Sequence, residues 1–463
     1  MKKVYIKTYG CQMNEHDSAR ICSILASMGY LPVESPESAD LIVVNTCSVR
    51  ENPENKVYSL LGKLRPLKKK RPELMVAICG CVAQQEGERI LEREPIVDLV
   101  FGPDRYFNLP ELLSRVESGE KVCDTHRGYP RPPIEDFIPD EWIDRGHREN
   151  IKAYIVISKG CNNKCSFCIV PRTRGREVYR TPDSILKEVD IVVSEGVREI
   201  WLLGQNVNSY KCGENYRFYH LLRDVANNSD VWRIRFTSPH PKDWVYELTD
   251  LISEKGNIAK HIHLPLQSGS NKILKLMRRG HTIEKYLEQV NYLRKKIPGI
   301  EISTDLIVGF PTETEEDYEE TLRVVKEVKF SQVYPFKYSP RPGTYAEKLG
   351  DDVPRKIKEE RLANLIKLQE EINIECMTKL IGASQEVLIE EKHPKKDYYW
   401  NGRTNGYRPI TVRAKNLSTG DLVVAEVKSF HGHWLEGDLV RVVKKSPLLF
   451  VSNIRNIKSE EGG

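Results

Sequence analysis

Gly160-Cys161-Asn162-Asn163-Lys164-Cys165-Ser166-Phe167-Cys168 follows a short apolar run, Ala153 to Ile157, that reads as a strand. Its three cysteines form a C-x3-C-x2-C loop, tight enough to wrap one metal centre. A structural zinc takes four protein ligands. Ferredoxin-type loops also supply four cysteines per cluster, although one can come from elsewhere in the chain. No further Cys or His follows within about forty residues. The simplest reading is a [4Fe–4S] cluster with three irons held by protein and the fourth left open for a substrate or cofactor.

Outward from this loop, residues 151 to about 340 repeat a strand–helix pattern. Strands are expected at Ala153–Ile157, Glu199–Leu203, Arg233–Phe236, His261–Leu264, Ser303–Val308 and Gln332–Tyr338. Helices such as Asp183–Ser194, Lys242–Glu254, Ile283–Lys296 and Thr314–Lys326 lie between them. Six parallel strands with helices outside predict a partial (β/α)6 barrel of TIM type, whose site is built from the loops after the strands. Those loops carry the cysteines, then Gly204-Gln205-Asn206, Thr237-Ser238-Pro239-His240-Pro241, Gln267-Ser268-Gly269-Ser270 and Gly309-Phe310-Pro311-Thr312. Ordinary turn chemistry explains some of these residues singly, but not the ring as a whole.

The first 120 or so residues also alternate strand and helix. Strands are expected at Val4–Lys7, Leu41–Asn45, Leu74–Cys79 and Leu99–Phe101, helices at Glu15–Met28, Glu51–Leu67, Gln84–Arg93 and Leu109–Arg115. This predicts a small parallel α/β sheet, with function beyond the carboxyl ends of its strands. Cysteines stand at three such ends: Tyr9-Gly10-Cys11, Thr46-Cys47-Ser48 and Gly80-Cys81-Val82. Neighbouring strands would bring Cys11, Cys47 and Cys81 to one spot as a second three-cysteine site. Cys79 competes for the third place, but lies on the strand itself, where a side chain packs in the core.

Residues 121–150, with Tyr129-Pro130-Arg131-Pro132-Pro133, read as a stiff linker. The barrel domain is expected to run over residues 151–380, ending in a charged helix from Arg355 to Lys379. Residues 381–450 change to short strands at Val387–Ile389, Thr411–Ala414, Leu422–Phe430 and Leu439–Val443, punctuated by glycines. They predict a small antiparallel barrel of OB-like type. There Arg403, Arg408, Arg413 and Lys415 interleave with Tyr398, Tyr399, Trp400, Tyr407 and Trp434. That mixture suits RNA phosphate contact plus base stacking, and equally a basic face over an aromatic core. Beyond Pro447 a frayed tail is expected.

Composition sets the bounds. The 463 residues, 40% apolar and 30% charged, suffice for several domains with real cores and argue against disorder. A net charge of +5 neither demands nor excludes a nucleic acid. No run is long and apolar enough for a membrane span, and Met1-Lys2-Lys3 leads into a strand pattern, not a signal peptide. The expected setting is cytoplasmic, with no membrane partner and a monomeric chain. The 11 cysteines then read as metal ligands or inert thiols, not disulfides.

With all three parts in view, the chain resembles the radical S-adenosylmethionine (SAM) methylthiotransferases from end to end. The resemblance implies an N-terminal methylthiotransferase domain, a radical SAM barrel and a C-terminal TRAM domain. Tyr9-Gly10-Cys11-Gln12-Met13-Asn14, Gly160-Cys161-Asn162-Asn163, Pro171-Arg172-Thr173-Arg174-Gly175-Arg176-Glu177 and Thr237-Ser238-Pro239-His240-Pro241 most resemble the MiaB type, which methylthiolates N6-dimethylallyladenosine 3′ of the anticodon in tRNA. The resemblance implies a radical SAM cluster on Cys161, Cys165 and Cys168, and a second [4Fe–4S] cluster on Cys11, Cys47 and Cys81 that carries the sulfur. It further implies two SAM per turnover and a low-potential electron donor. By the same resemblance Gly204, Gln205, Asn206 and Ser238 would contact SAM, and Arg172, Arg174 and Arg176 would meet tRNA phosphate, joined by Arg403 and Arg408 of the small barrel.

Two rivals remain at this point. One keeps the chemistry and changes the substrate, to threonylcarbamoyl-adenosine in tRNA or an aspartate of a ribosomal protein. The other is a non-enzymatic RNA-binding protein with structural zinc. Two three-cysteine sets, each short of a fourth ligand, suit zinc poorly.

Overall fold

The computed structural model describes residues 1–47, 51–126 and 151–446. Most of the expected linker and the expected frayed tail lie outside the described residues.

The N-terminal unit is built on β1 (Lys2–Tyr9), β2 (Tyr30–Pro32), β3 (Leu41–Thr46), β4 (Met75–Gly80), β5 (Leu99–Phe101) and β6 (Val122–Asp124). They form one parallel sheet in the order β2-β1-β3-β4-β5-β6. The central strand β3 is buried along its whole length, as a parallel strand covered on both faces must be. Leu41 and Val43 pack on one face with Ile21, Ile24 and Leu25 of helix α1 (Gln12–Ser27). Ile42 and Val44 pack on the other with Val57, Leu61 and Leu64 of helix α2 (Glu51–Lys70). The chain leaves β1 and β3 in opposite directions along the sheet, so a crevice opens between their carboxyl ends. The sequence missed β2 and β6, each three residues long. With β6 the sheet reaches Asp124, four residues into the expected linker.

In the middle unit the first three strands, Lys152–Val156, Glu199–Leu203 and Arg233–Phe236, form one parallel sheet. His261–His263, Glu301–Val308 and Gln332–Lys337 form another. Backbone bonds from Ile234 to Asn257 and from Ala259 to Ile234 join the two. The result is an open half-barrel of six parallel strands in chain order, as the sequence predicts. Its outer core is aliphatic, running from Ala153 and Ile155 through Ile200, Leu202 and Ile234 to Leu293 and Val325. The long helix Arg355–Thr378 closes this core with Leu365 and Ile372.

Residues 384–444 form a closed five-stranded barrel. One of its strands, Tyr399–Thr404, runs through Gly402, one of the glycines that read from sequence as turns. Gly402 serves close approach instead: a Cβ there would lie 2.5 Å from the Leu388 carbonyl oxygen of the paired strand.

This small barrel plugs the floor of the half-barrel, where the strands begin. Arg233 donates to the Arg403 carbonyl, and Arg235 to the carbonyls of Thr404 and Asn405. Tyr407 inserts its ring beside Trp201 and His261. At the opposite end α1 delivers Met13 onto Val156, Trp201 and Leu203, a burial worth about 1.5–3 kcal/mol. Arg20 of α1 also pairs with Glu188 of the half-barrel at 2.8 Å, and Arg180 joins them.

The Glu188 joint has a pH signature. Burial pushes its carboxyl up, but Arg180 and Arg20 outweigh burial and hold it at about 2. A depressed carboxylate stabilises the fold above its unfolded value, and that contribution is lost as pH falls through the folded value. Glu188→Gln should therefore lower the unfolding midpoint most at pH 5 and above. The gap to the parent should narrow from pH 4.5 towards pH 2, measured by circular dichroism across that range.

Candidate active site

The β1, β3 and β4 ends are welded together by polar side chains. Asn14, fully buried in the first turn of α1, donates to Asn45 Oδ1 at 3.0 Å and to the Thr46 carbonyl at 3.2 Å. Asn45 answers with bonds to the Asn14 carbonyl and Ser18 Oγ, both 2.9 Å. Thr46 Oγ1 donates to the Cys79 carbonyl, and the Cys47 amide to the Tyr9 carbonyl. These bonds bring the three strand-end cysteines into one place. Cys11 caps α1, Cys47 follows β3, and Cys81 opens a short helix, Cys81–Glu86, rather than lying in a loop. Cys79 sits on β4 in the apolar core.

The Cys47 thiol is within hydrogen-bonding reach of both Cys11 and Cys81. A hydrogen bond from the single Cys47 S–H, open to either neighbour, and the positive charge of Arg174 pull Cys81 down to about 5 and Cys11 to about 7, while Cys47 is pushed up. Thiols that ionise this readily are in the form that binds metal. Cys11 is exposed and the other two are buried, so the site opens on one side.

The C-x3-C-x2-C loop turns at Gly160, whose φ is +80° and where a Cβ would lie 2.2 Å from the Arg176 carbonyl oxygen. Its amide bonds Gln205 Oε1, and the Cys161 amide donates to the Gly175 carbonyl. Burial pushes the Cys161 and Cys168 thiols up to about 11 and about 12. A bound cation would be needed to hold these two as thiolates. Cys165 is flanked by two donors, His240 of the Thr237–Pro241 loop expected on this face and Arg279, which was not foreseen. Arg279 Nη1 stands 3.4 Å from its sulfur, with Nη2 held by the Pro265 carbonyl at 2.8 Å. His240 Nε2 lies 3.9 Å away, and its Nδ1 accepts from the Lys242 amide, so the proton sits on Nε2. Among the described residues no group of three His, Cys, Asp or Glu side chains is placed to hold a single metal ion.

Two family models match in sequence order: "Uncharacterized protein family UPF0004" over residues 3–102 and "Radical SAM superfamily" over residues 155–325. The tRNA-2-methylthio-N(6)-dimethylallyladenosine synthase of Aquifex aeolicus is 42% identical over 447 residues, 96% of this chain and 100% of its own length. That of Thermodesulfovibrio yellowstonii is 41% identical over 440 residues, covering 95% and 99%. This chain belongs to the tRNA-2-methylthio-N(6)-dimethylallyladenosine synthase family. The Chloroherpeton thalassium member is 44% identical over 428 residues, covering 92% and 93%. Among solved structures, the radical SAM methyltransferase TsrM from Kitasatospora setae shares the fold, with a TM-score of 0.55 at 16% identity over 75% of this chain and 77% of its own.

Membership in this synthase family puts the remaining expected site residues in context. Gln205 turns its side-chain oxygen to the cysteine loop, and Asn206 donates to Asp243 at 2.8 Å. Gly204 is buried against Ser158, and Ser238 takes a left-handed conformation with φ +57° two residues before His240. All four thus stand on the cysteine side of the half-barrel.

Two of the expected phosphate contacts are corrected. Arg174 is buried, pairing with Asp17 at 2.8 Å and donating to Cys81 Sγ at 3.3 Å. Arg408 is buried on Glu301 and Asn373, pinning the small barrel. Neither guanidinium reaches a surface that RNA could touch. Arg172 and Arg176 are exposed. Arg403 is half-buried, 4.7 Å over the Tyr407 ring. The sequence also gave no sign of the polar lumen, where Ser303 Oγ lies 3.0 Å from both His261 Nε2 and His263 Nδ1.

Proposed function

We propose that this enzyme replaces the C2 hydrogen of N6-dimethylallyladenosine, next to the anticodon of tRNA, with a methylthio group. End-to-end likeness to the synthases carries the reading, because it spans the units bearing both three-cysteine sets. In our reading Cys161, Cys165 and Cys168 hold the radical SAM [4Fe–4S] cluster, and Cys11, Cys47 and Cys81 hold the second. Together with SAM these groups supply the radical and sulfur chemistry that an adenine C2–H, lacking an acidic proton, requires.

The chain's own work is placement. The Asn14–Asn45 bonds fix the three loop ends, and Met13 seats that site against the mouth of the half-barrel. Gly204, Gln205, Asn206 and Ser238 are our assigned SAM contacts. Of the arginines expected to meet tRNA phosphate, Arg172, Arg176 and Arg403 keep that role in our reading. None of the described helices is long and apolar enough to cross a membrane. A cytoplasmic setting and a monomeric working chain are part of the proposal.

The test is an anaerobic assay of reconstituted protein with SAM, a low-potential reductant and dimethylallyl-modified tRNA. Mass spectrometry should show H replaced by SCH3 on the prenylated adenosine. Product only on threonylcarbamoyl-modified tRNA or on a ribosomal protein, offered in parallel, would overturn the substrate.

A further inference from the structure

Arg174 belongs to the half-barrel but does its bonding in the other unit. It lies six residues beyond Cys168 on the same connection. Its side chain crosses to the N-terminal unit and is 3% exposed. One edge of the guanidinium meets Asp17 of α1, and Nε reaches the sulfur of Cys81. Asp17 is 2% exposed and its other charged neighbour is Lys159, whose ammonium donates to Tyr106 Oη at 2.8 Å. The adjacent His16 is held neutral, pushed down by burial to about 4. Arg174 therefore stays cationic beside the cysteine site, matched by one carboxylate on its far side.

The arrangement rests on the reading that Cys81 is a ligand of the second cluster. We propose that Arg174 is a positioning residue for that cluster, fixing its Cys81 ligand and raising its reduction potential through one buried positive charge and one N–H···S bond. Hydrogen bonds to the sulfurs and nearby charge are the levers by which a protein sets such potentials. A cation close by favours the more negative, reduced state, and burial keeps water from screening it. Asp17 opposes this and so sets how much of the charge is felt. Lysine could not replace Arg174, since only the planar fork serves a carboxylate and a sulfur from two edges. A second guanidinium, Arg279, meets Cys165 at the other site, so each three-cysteine set carries one buried arginine on one sulfur.

The experiment is a redox titration followed by electron paramagnetic resonance. It uses the full-length chain carrying Cys161→Ala, Cys165→Ala and Cys168→Ala, so that only the second cluster forms. Arg174→Gln should lower the midpoint so that reduction is at least tenfold less favourable, about 59 mV for a one-electron couple. Asp17→Asn should move it the other way, a sign that loss of packing would not produce. Arg174→Lys should keep part of the charge effect and lose the sulfur bond, giving an intermediate midpoint. Iron and sulfide are counted in each variant. Full occupancy with unmoved midpoints in both Arg174→Gln and Asp17→Asn overturns the proposal and leaves the ligand assignment intact. A triple-alanine parent that binds no cluster overturns the ligand assignment itself. If Arg174→Gln fails to fold, the upward shift in Asp17→Asn still decides.

Discussion

Cys47→Ala should abolish methylthiolation, at least a thousandfold, while leaving SAM cleavage in place. In our reading Cys47 is a ligand of the second cluster only, and its thiol lies within hydrogen-bonding reach of both thiol neighbours. Removing it takes one of three protein ligands and the group that pulls Cys11 and Cys81 towards thiolate. Bound iron should fall by half. Cys161→Ala should instead stop both methylthiolation and reductive SAM cleavage, and likewise cost half of the iron. Chromatography of 5′-deoxyadenosine beside mass spectrometry of the tRNA separates the two variants. If both behave alike, the two cysteine sets do not divide the work as proposed.

Glu199→Leu should produce the largest loss of stability. Glu199 is 1% exposed and meets Arg235 at 2.6 Å, with Arg235 equally buried. Arg233 stands beside them and adds a second positive charge. Leucine would leave an uncompensated buried cation, a cost of about 3–5 kcal/mol. The guanidinium would also keep its bonds to the Thr404 and Asn405 carbonyls, so it could not swing out to water. A lower midpoint in guanidinium chloride is the readout. Adding Arg235→Met should recover part of the loss, since apolar replacement of a whole buried pair is often close to neutral. Recovery stays incomplete because two carbonyls lose their donors, at about 1–3 kcal/mol for each that stays buried. No difference between single and double variant would mean that the charge is not what matters there.

The strands of the half-barrel were legible because each is a β-rich run ended by a Gly or polar loop; Glu199–Leu203 and Arg233–Phe236 match to the residue. The positions of Cys11, Cys47 and Cys81 at strand ends were legible for the same reason. Arg174 and Arg408 were not. As a run of cations beside a site for a polyanion, Pro171 to Glu177 looks like surface. Only the tertiary fold supplies Asp17, distant in sequence, to take Arg174 inside. The same holds for Arg279, whose partner Cys165 lies on another loop; the loop of His240 was legible as part of the site face, but not its contact with Cys165. Short-range pattern reveals periodicity and turns, but long-range charge pairing leaves no local trace.

The plugged floor of the half-barrel bears on how the chain matures. Tyr407 and the carbonyls of Thr404 and Asn405 are synthesised well after the six strands they complete. Until they emerge from the ribosome, Arg233 and Arg235 have an open, wet floor and the middle unit has no lower wall. The N-terminal sheet, closed by its own helices, can settle first, as domains do during synthesis. A chain stopped before residue 384 would carry an unfinished half-barrel in which Arg233 and Arg235 lack their carbonyl partners, a natural target for quality control. Completion of the central unit thus waits on residues translated after it.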